Sequence, residues 1–249
     1  MHPFRVADLR RILEPRLLRP EATVQDVEAF CHRVIADRFA VCLVEPFWVR
    51  TASDIARGSA TRIGTVAGYP FGCSETATKV AEVEQALAAG AQEVDLVMNI
   101  GALRSRDSDP VTSELRAAAE RVHALPGRVF RVTVETGYLT TEQIGRAGQL
   151  IADAGADLVA TGTGCGPRPV SVEDVRRLRA AVDHRLGIDA TGGVRSLAEV
   201  GALVRAGADR IGTSRAFPIL AEALGPVHAP YRSHAPSAQA LVGHLDDVR

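Results

Sequence analysis

The chain has 249 residues, is 46% hydrophobic and carries a formal net charge of -1. That length can bury a substantial core without disulfide staples. The near-zero charge gives no field to recruit nucleic acid or an anionic membrane, and no stretch approaches the ~20 apolar residues of a spanning helix. Short apolar runs then alternate with longer amphipathic segments. Strands are expected at 39–44, 62–67, 93–99, 129–135, 158–161, 186–190 and 210–213, with another near 9–13. Most are nearly continuous apolar runs, as parallel strands covered on both faces require. Helices are expected at 23–37, 74–89, 111–124, 141–154, 171–184 and 196–206. In the first, Val24, Val27, Phe30 and Val34 fall at helical spacing behind Thr23 as cap.

The phrases Ala89-Gly90-Ala91, Asp153-Ala154-Gly155-Ala156-Asp157 and Arg205-Ala206-Gly207-Ala208-Asp209 recur. Each puts glycine where a helix ends and the next strand begins. Seven or eight such β-α units predict an α/β chain folded as one (β/α)8 TIM barrel over residues 1–249. No Gly-x-Gly-x-x-Gly follows an early strand, which counts against a dinucleotide fold. Cys31, Cys42, Cys73 and Cys165 form no C-x-x-C pair, so reduced thiols in a cytoplasmic protein are the simplest reading. Residues 1–20 are charged and lack a secretory apolar run. The histidines (His2, His32, His123, His184, His228, His234 and His244) fall on helices or tails. No metal site and no cofactor are expected from them.

In a barrel, chemistry sits where the strands end. Thr161-Gly162-Thr163-Gly164-Cys165-Gly166, Thr191-Gly192-Gly193-Val194-Arg195 and Gly212-Thr213-Ser214-Arg215 each follow a strand, and the last opens a helix. Glycines let backbone N–H groups approach an anion, and a helix N-terminus adds a favourable dipole. A phosphate cradle is therefore expected at Gly164, Gly192, Gly193, Arg195, Gly212, Ser214 and Arg215. The alternative is that these glycines only make tight turns. Asp95 and Asp189 interrupt otherwise apolar strands. A carboxylate there is costly unless paired or solvated. If both point inward, each raises the other's pKa, giving a pair able to donate and accept protons. The alternative for each is a structural hydrogen bond. Glu135, before Thr136-Gly137, is expected to orient loops rather than react. Cys165 has no histidine near a strand end to act as its base and is read as a bystander; Cys42 is read as a small buried residue. Lys79 is the one lysine among 29 basic residues, so 28 are arginine. On a barrel helix it is expected to be a surface or interface cation, although an amine reaching the site is a further option.

These residues resemble the deoxyribose-phosphate aldolase family from about Leu13 to about Leu220. The phrases that carry it are Ala40-Val41-Cys42, Gly68-Tyr69-Pro70-Phe71-Gly72, the run from Glu93 through Asp95 to Leu103, Val134-Glu135-Thr136-Gly137, Ala156-Asp157-Leu158-Val159 and Gly192-Gly193-Val194-Arg195. The resemblance implies a (β/α)8 barrel that makes or breaks a carbon–carbon bond through a lysine Schiff base. By position, Asp95 resembles the family's proton-relay aspartate. Gly164, Gly192, Gly193, Gly212 and Ser214 resemble its phosphate-binding backbone positions, and Arg215 stands where a small polar residue is usual. The chain departs from the family where the chemistry lies. Ala160 stands where the Schiff-base lysine is expected, and Asp189 where the second lysine is expected. Glu14-Pro15-Arg16 replaces Asp-His-Thr, and Val44-Glu45-Pro46 replaces an Asn-Pro turn with one extra residue. The tail, Asp246-Asp247-Val248-Arg249, lacks the terminal tyrosine of many members. Arginine at ordinary lysine positions, as at Arg19 and Arg131, shows that general lysine loss does not explain the two chemical sites.

An alanine offers no nucleophile, so imine formation at 160 is impossible. The expectation is a barrel enzyme acting on a phosphorylated sugar or related phosphate ester by Schiff-base-independent chemistry. Asp95 and Asp189 serve as acid and base, with Glu14 or Glu135 assisting. The second reading is a non-catalytic homologue that binds a phosphorylated ligand or a protein partner. A homo-oligomer accords with barrels of this kind, but no stripe marks an interface.

Overall fold

Eight parallel strands close into a barrel in chain order. A computed structural model describes residues 4–105 and 108–225. The strands are β1 (Leu13–Leu17), β2 (Val41–Val44), β3 (Arg62–Ala67), β4 (Glu93–Val97), β5 (Val129–Thr133), β6 (Leu158–Ala160), β7 (Gly187–Thr191) and β8 (Arg210–Thr213). The helices around them are α1 (Val6–Ile12), α2 (Val24–Ala36), α3 (Val49–Ala56), α4 (Thr76–Ala89), α5 (Ile100–Arg104), α6 (Ser108–His123), α7 (Thr141–Asp153), α8 (Val172–Val182), α9 (Leu197–Arg205) and α10 (Ala216–Leu224). This is the (β/α)8 architecture expected from the repeated handover glycines. No helix among the described residues is long and apolar enough to cross a membrane.

The expected strand near 9–13 is a correction. Val6, Leu9 and Leu13 recur every three or four residues, a helical period, and α1 occupies that segment. The strand starts only at Leu13, in register with Ile211 of β8. Helix starts follow local chemistry. Thr23, Thr140, Ser171 and Ser196 each close a capping box with a side chain three residues on.

Strand alternation divides the molecule into two cores. Cys42, Ile63, Val94, Leu96, Phe130, Val132, Val159, Ile188, Ala190 and Ile211 face the helices and join one apolar cluster. The opposite faces fill the barrel, and there the chain is unusually polar. Glu14, Glu93, Asp95, Arg131 and Asp189 are at most 2% exposed. Small residues make room for large neighbours in this interior. A Cβ at Gly64 would sit 2.8 Å from Leu43, one at Gly187 would strike Leu158, and one at Gly212 would collide with the guanidinium of Arg16.

Lys79 is a second correction. It is fully buried, not a surface cation. Lys79, Val83 and Ala86 share the inner face of α4, at the i, i+4, i+7 spacing. The Lys79 amine donates to the Val97 carbonyl at 2.9 Å and pairs with Glu114 of α6 at 2.8 Å. It lies in the layer between β4 and the helices, outside the barrel interior.

Candidate active site

The C-terminal ends of β6, β7 and β8 are bolted together by threonines. Thr161 Oγ1 donates to the Thr191 carbonyl at 2.8 Å and accepts from Thr191 N at 2.9 Å. Thr191 Oγ1 in turn donates to the Gly162 carbonyl. Thr213 Oγ1 donates to the Val194 carbonyl at 2.7 Å and accepts from Arg215 N at 2.9 Å. Between these anchors, Gly192 and Gly193 take φ values of 103° and 81°, which favour glycine. Gly164 lies beside Gly192, where a Cβ on the latter would meet the Gly164 nitrogen at an ordinary contact distance of 3.6 Å.

These loops border a cleft of about 400 Å³, within the size range of small-molecule sites. All seven expected cradle residues line it: Gly164, Gly192, Gly193, Arg195, Gly212, Ser214 and Arg215. Arg16, Arg19, Tyr69, Thr163 and Cys165 complete much of its wall, and no carboxylate among the described residues lines it. The starts of the two adjoining helices differ. At α9, Glu199 accepts from Arg195 N at 2.6 Å and Ser196 N at 3.2 Å, so that terminus already holds an anion. At α10 no side chain among the described residues caps the first turn, so the dipole and the N–H groups beyond Arg215 can serve a ligand anion.

The four expected catalytic carboxylates lie elsewhere. Glu135 holds a left-handed conformation at φ 48° and accepts from Thr163 N at 2.8 Å and Thr163 Oγ1 at 2.5 Å. Its carboxylate occupies the space a side chain at Gly162 or Gly166 would need. These contacts tie it to the loop after β6. Glu14, Asp95 and Asp189 lie below the cleft floor with Glu93, all interleaved with arginine. Arg131 donates to Glu14 and Asp189, and to Glu93 at 3.0 Å. Arg210 donates to Glu14 at 2.8 Å and Glu93 at 2.7 Å. Arg16 donates to Asp189 and lies 3.6 Å from Asp95, whose other oxygen accepts from Thr133 at 2.7 Å. With Arg62 at 3.6 Å from Glu93, four carboxylates face four guanidiniums. Such burial is tolerable only when each charge is countered.

Asp95 and Asp189 are therefore brought together, but through a shared guanidinium rather than as an open acid pair. Burial, and then the Glu14 carboxylate, push Asp189 up to about 6 against the pull of Arg16 and Arg131. Asp95 adds less to that rise than Glu14 does, contrary to the simple two-aspartate expectation. Glu14 moves the other way. Burial pushes it up, but Arg131, Arg16 and Arg210 outweigh that and bring it to about 2.

Two arginines of the barrel interior, Arg16 and Arg131, were not among the expected site residues. Arg131 is fully buried at the centre of the barrel, not an ordinary position. Its signal was one charge inside an apolar strand, the pattern that picked out Asp95. Cys165 is exposed at the rim, 3.6 Å from the Tyr69 hydroxyl. Cys42 is fully buried, its Sγ 3.8 Å from that of Cys31. His32, on α2, His123, at the end of α6, and His184, just after α8, lie away from the cleft lining. His2, His228, His234, His244 and the tail Asp246-Asp247-Val248-Arg249 lie outside the described residues.

Comparison with known proteins bears on this arrangement. A family model described as DeoC/LacD family aldolase matches residues 14–214. The deoxyribose-phosphate aldolase of Thermoanaerobacter sp. (strain X514) is 38% identical over 215 residues, covering 86% of this chain and 96% of the relative. A solved structure described as QR15, an aldolase, superposes with a TM-score of 0.82 at 35% identity, covering 87% of this chain and 96% of its own. The deoxyribose phosphate aldolase from Aeropyrum pernix, described as tetrameric, gives a TM-score of 0.80 at 28% identity, covering 90% and 93%.

Proposed function

This chain belongs to the DeoC/LacD family of aldolases, and from that premise we propose that it is an aldolase-like enzyme acting on a phosphorylated sugar or related phosphate ester without forming an imine. The observation that carries the reading is the whereabouts of its amine. Lys79 is the only lysine, and it is buried between β4 and α6 against Glu114. Every cationic side chain lining the cleft is an arginine, which stays protonated and forms no Schiff base. The interior positions read as the family's lysine sites hold Ala160 and Asp189.

Phosphate binding is assigned to the backbone of Gly164, Gly192, Gly193 and Gly212 and to Ser214, Arg195 and Arg215. The uncapped start of α10 among them supports this. Proton transfer is assigned to Asp95 and Asp189, with Glu14 tuning the latter and Glu135 holding the β6 loop. A carboxyl raised to about 6, as Asp189 is, can exchange protons near neutrality. Enolisation, dehydration, cyclisation and a non-covalent aldol step all fit such a group. We further assign the protein to the cytoplasm, where its free thiols stay reduced. We propose self-association by analogy with the tetrameric Aeropyrum pernix relative, to be read by light scattering.

The test is incubation with a panel of phosphorylated sugars in deuterium oxide, followed by mass spectrometry. Exchange is expected in the wild type and strongly reduced exchange in Asp189→Asn. Absence of exchange in the wild type, or an undiminished rate in the variant, sinks the enzymatic reading. Cleavage of 2-deoxyribose 5-phosphate at family rates sinks the imine-free one. Borohydride with that substrate is expected to leave no adduct on the Lys79 peptide.

One observation favours the second reading, a binding protein without turnover. All of the interior carboxylates are engaged by arginine and closed off from the cleft. That reading predicts a rise in melting temperature with phosphorylated ligands and no exchange with any of them.

A further inference from the structure

We propose that Arg16 is a catalytic residue: its guanidinium meets the reacting oxygen of the ligand and stabilises the oxyanion of an enolate, with Asp95 and Asp189 as the positioning residues that hold it. This rests on the reading of the cleft as a site for phosphorylated carbonyl compounds.

Four observations converge on Arg16. Of the eight charged groups in the barrel interior, it alone lines the cleft. Its side chain is 9% exposed, so it is a mostly desolvated cation presented at the floor of the cleft. Its Nη groups are engaged from below by Asp189, Glu14 and Asp95, while its buried Nε has no partner among the described residues. It rests on the backbone of Gly212, where any side chain would displace it, so its height is set by a residue of the cradle itself. Gly212, Ser214 and Arg215 of the cradle line the same cleft as Arg16, so one phosphorylated ligand can meet both.

A guanidinium suits the task that an imine performs elsewhere. Enolisation breaks a C–H bond next to the carbonyl. The proton is relayed by solvent water to Asp189, which does not itself line the cleft, the C–H electron pair becomes the new carbon–carbon π bond, and the carbonyl π pair moves onto oxygen. That oxygen becomes an anion opposite a fixed, mostly buried cation, where such a contact is stronger than in bulk water. No covalent bond to the protein forms, and no co-reactant is needed. The carboxylates behind Arg16 fix its orientation before the charge develops, which spares reorganisation.

The test uses two probes and isothermal titration calorimetry on the full chain. Inorganic phosphate reports the cradle alone. Phosphoglycolohydroxamate, a phosphate ester whose hydroxamate mimics an enediolate, reports the cradle plus the oxyanion contact. The wild type is expected to bind the hydroxamate about 100-fold more tightly than phosphate. In Arg16→Gln that gain falls at least about tenfold while phosphate affinity holds. Arg16→Ala, titrated with the hydroxamate in the presence of millimolar guanidinium, is expected to recover part of the gain. In Asp189→Asn, which removes a carboxylate that orients the guanidinium, the gain is expected to fall while phosphate affinity holds, and an undiminished gain removes the positioning role of Asp189. Phosphate binding with no extra gain for the hydroxamate, or an equal gain in Arg16→Gln, overturns the proposal and leaves the phosphate site standing. Failure to bind either probe overturns both.

Discussion

Lys79 and Glu114 form an ion pair at 2.8 Å in which neither side chain exceeds 3% exposure. Burial raises the pKa of Glu114 even with the amine beside it. Removing one partner leaves the other charged and dry, at a cost of ~3–5 kcal/mol. Lys79→Met should therefore destabilise strongly in urea unfolding, and Lys79→Met with Glu114→Leu should recover most of the loss. Asp189 and Glu14 oppose each other across pH. Asp189 rises from 3.8 to about 6, so the native state binds the extra proton and stability falls as pH climbs through that window. Glu14 drops from 4.5 to about 2, so its contribution is complete above 4.5 and is lost as pH falls toward 2. A tenfold difference in proton affinity between folded and unfolded chain is worth about 1.4 kcal/mol. Asp189→Asn should gain stability relative to wild type between pH 4 and 6, and Glu14→Gln should lack the acid-side loss. A flat difference between Asp189→Asn and wild type across melts from pH 4 to 7 would contradict this. Asp95 and Asp189 were legible because each breaks an apolar run. Their partners were not, because Arg16 lies 173 residues from Asp189 and only barrel closure brings them into contact.

At the scale of elements, the chain states its helix starts plainly. Ser171 caps α8 by accepting from Asp174 N, while the Asp174 carboxylate returns the bond to Ser171 N at 2.9 Å and also holds Arg168. Ser171→Ala should cost about 1 kcal/mol in thermal unfolding and loosen the chain between Gly164 and α8. The same effect should appear as faster hydrogen exchange there than in α7. Six helices could be read from apolar spacing repeated over several turns, and seven strands from short, nearly continuous apolar runs. The short helices could not. α3 has eight residues and α5 has five, too few turns to set up a period. α1 was misread because its few apolar residues satisfy a strand and a helix alike. The inner face of α4 was misread for another reason. A lysine at an inward position violates the general rule, and only the acid on α6 makes it tolerable.

Over the whole molecule, stability is shared between an apolar shell under the helices and an ionic column inside the strands. The shell was visible as continuous apolar strands. The column was hidden, since its members come one or two at a time from six strands, β1, β3, β4, β5, β7 and β8. Arg131 is its hub, touching Glu14, Glu93 and Asp189. Arg131→Met should cost ~3–5 kcal/mol in chemical denaturation. Because the column is shielded from solvent, its contribution should change little between low and high salt. The column also governs what can be retrofitted into this scaffold. Ala160 stands in register with Thr133 and Asp189, at the level of the acids. A lysine engineered at 160 would emerge among carboxylates that hold it as an ammonium, which is no nucleophile. Installing imine chemistry here thus demands that the acids be cleared before the amine arrives, and a variant that makes only the second change gains neither activity nor a quiet interior.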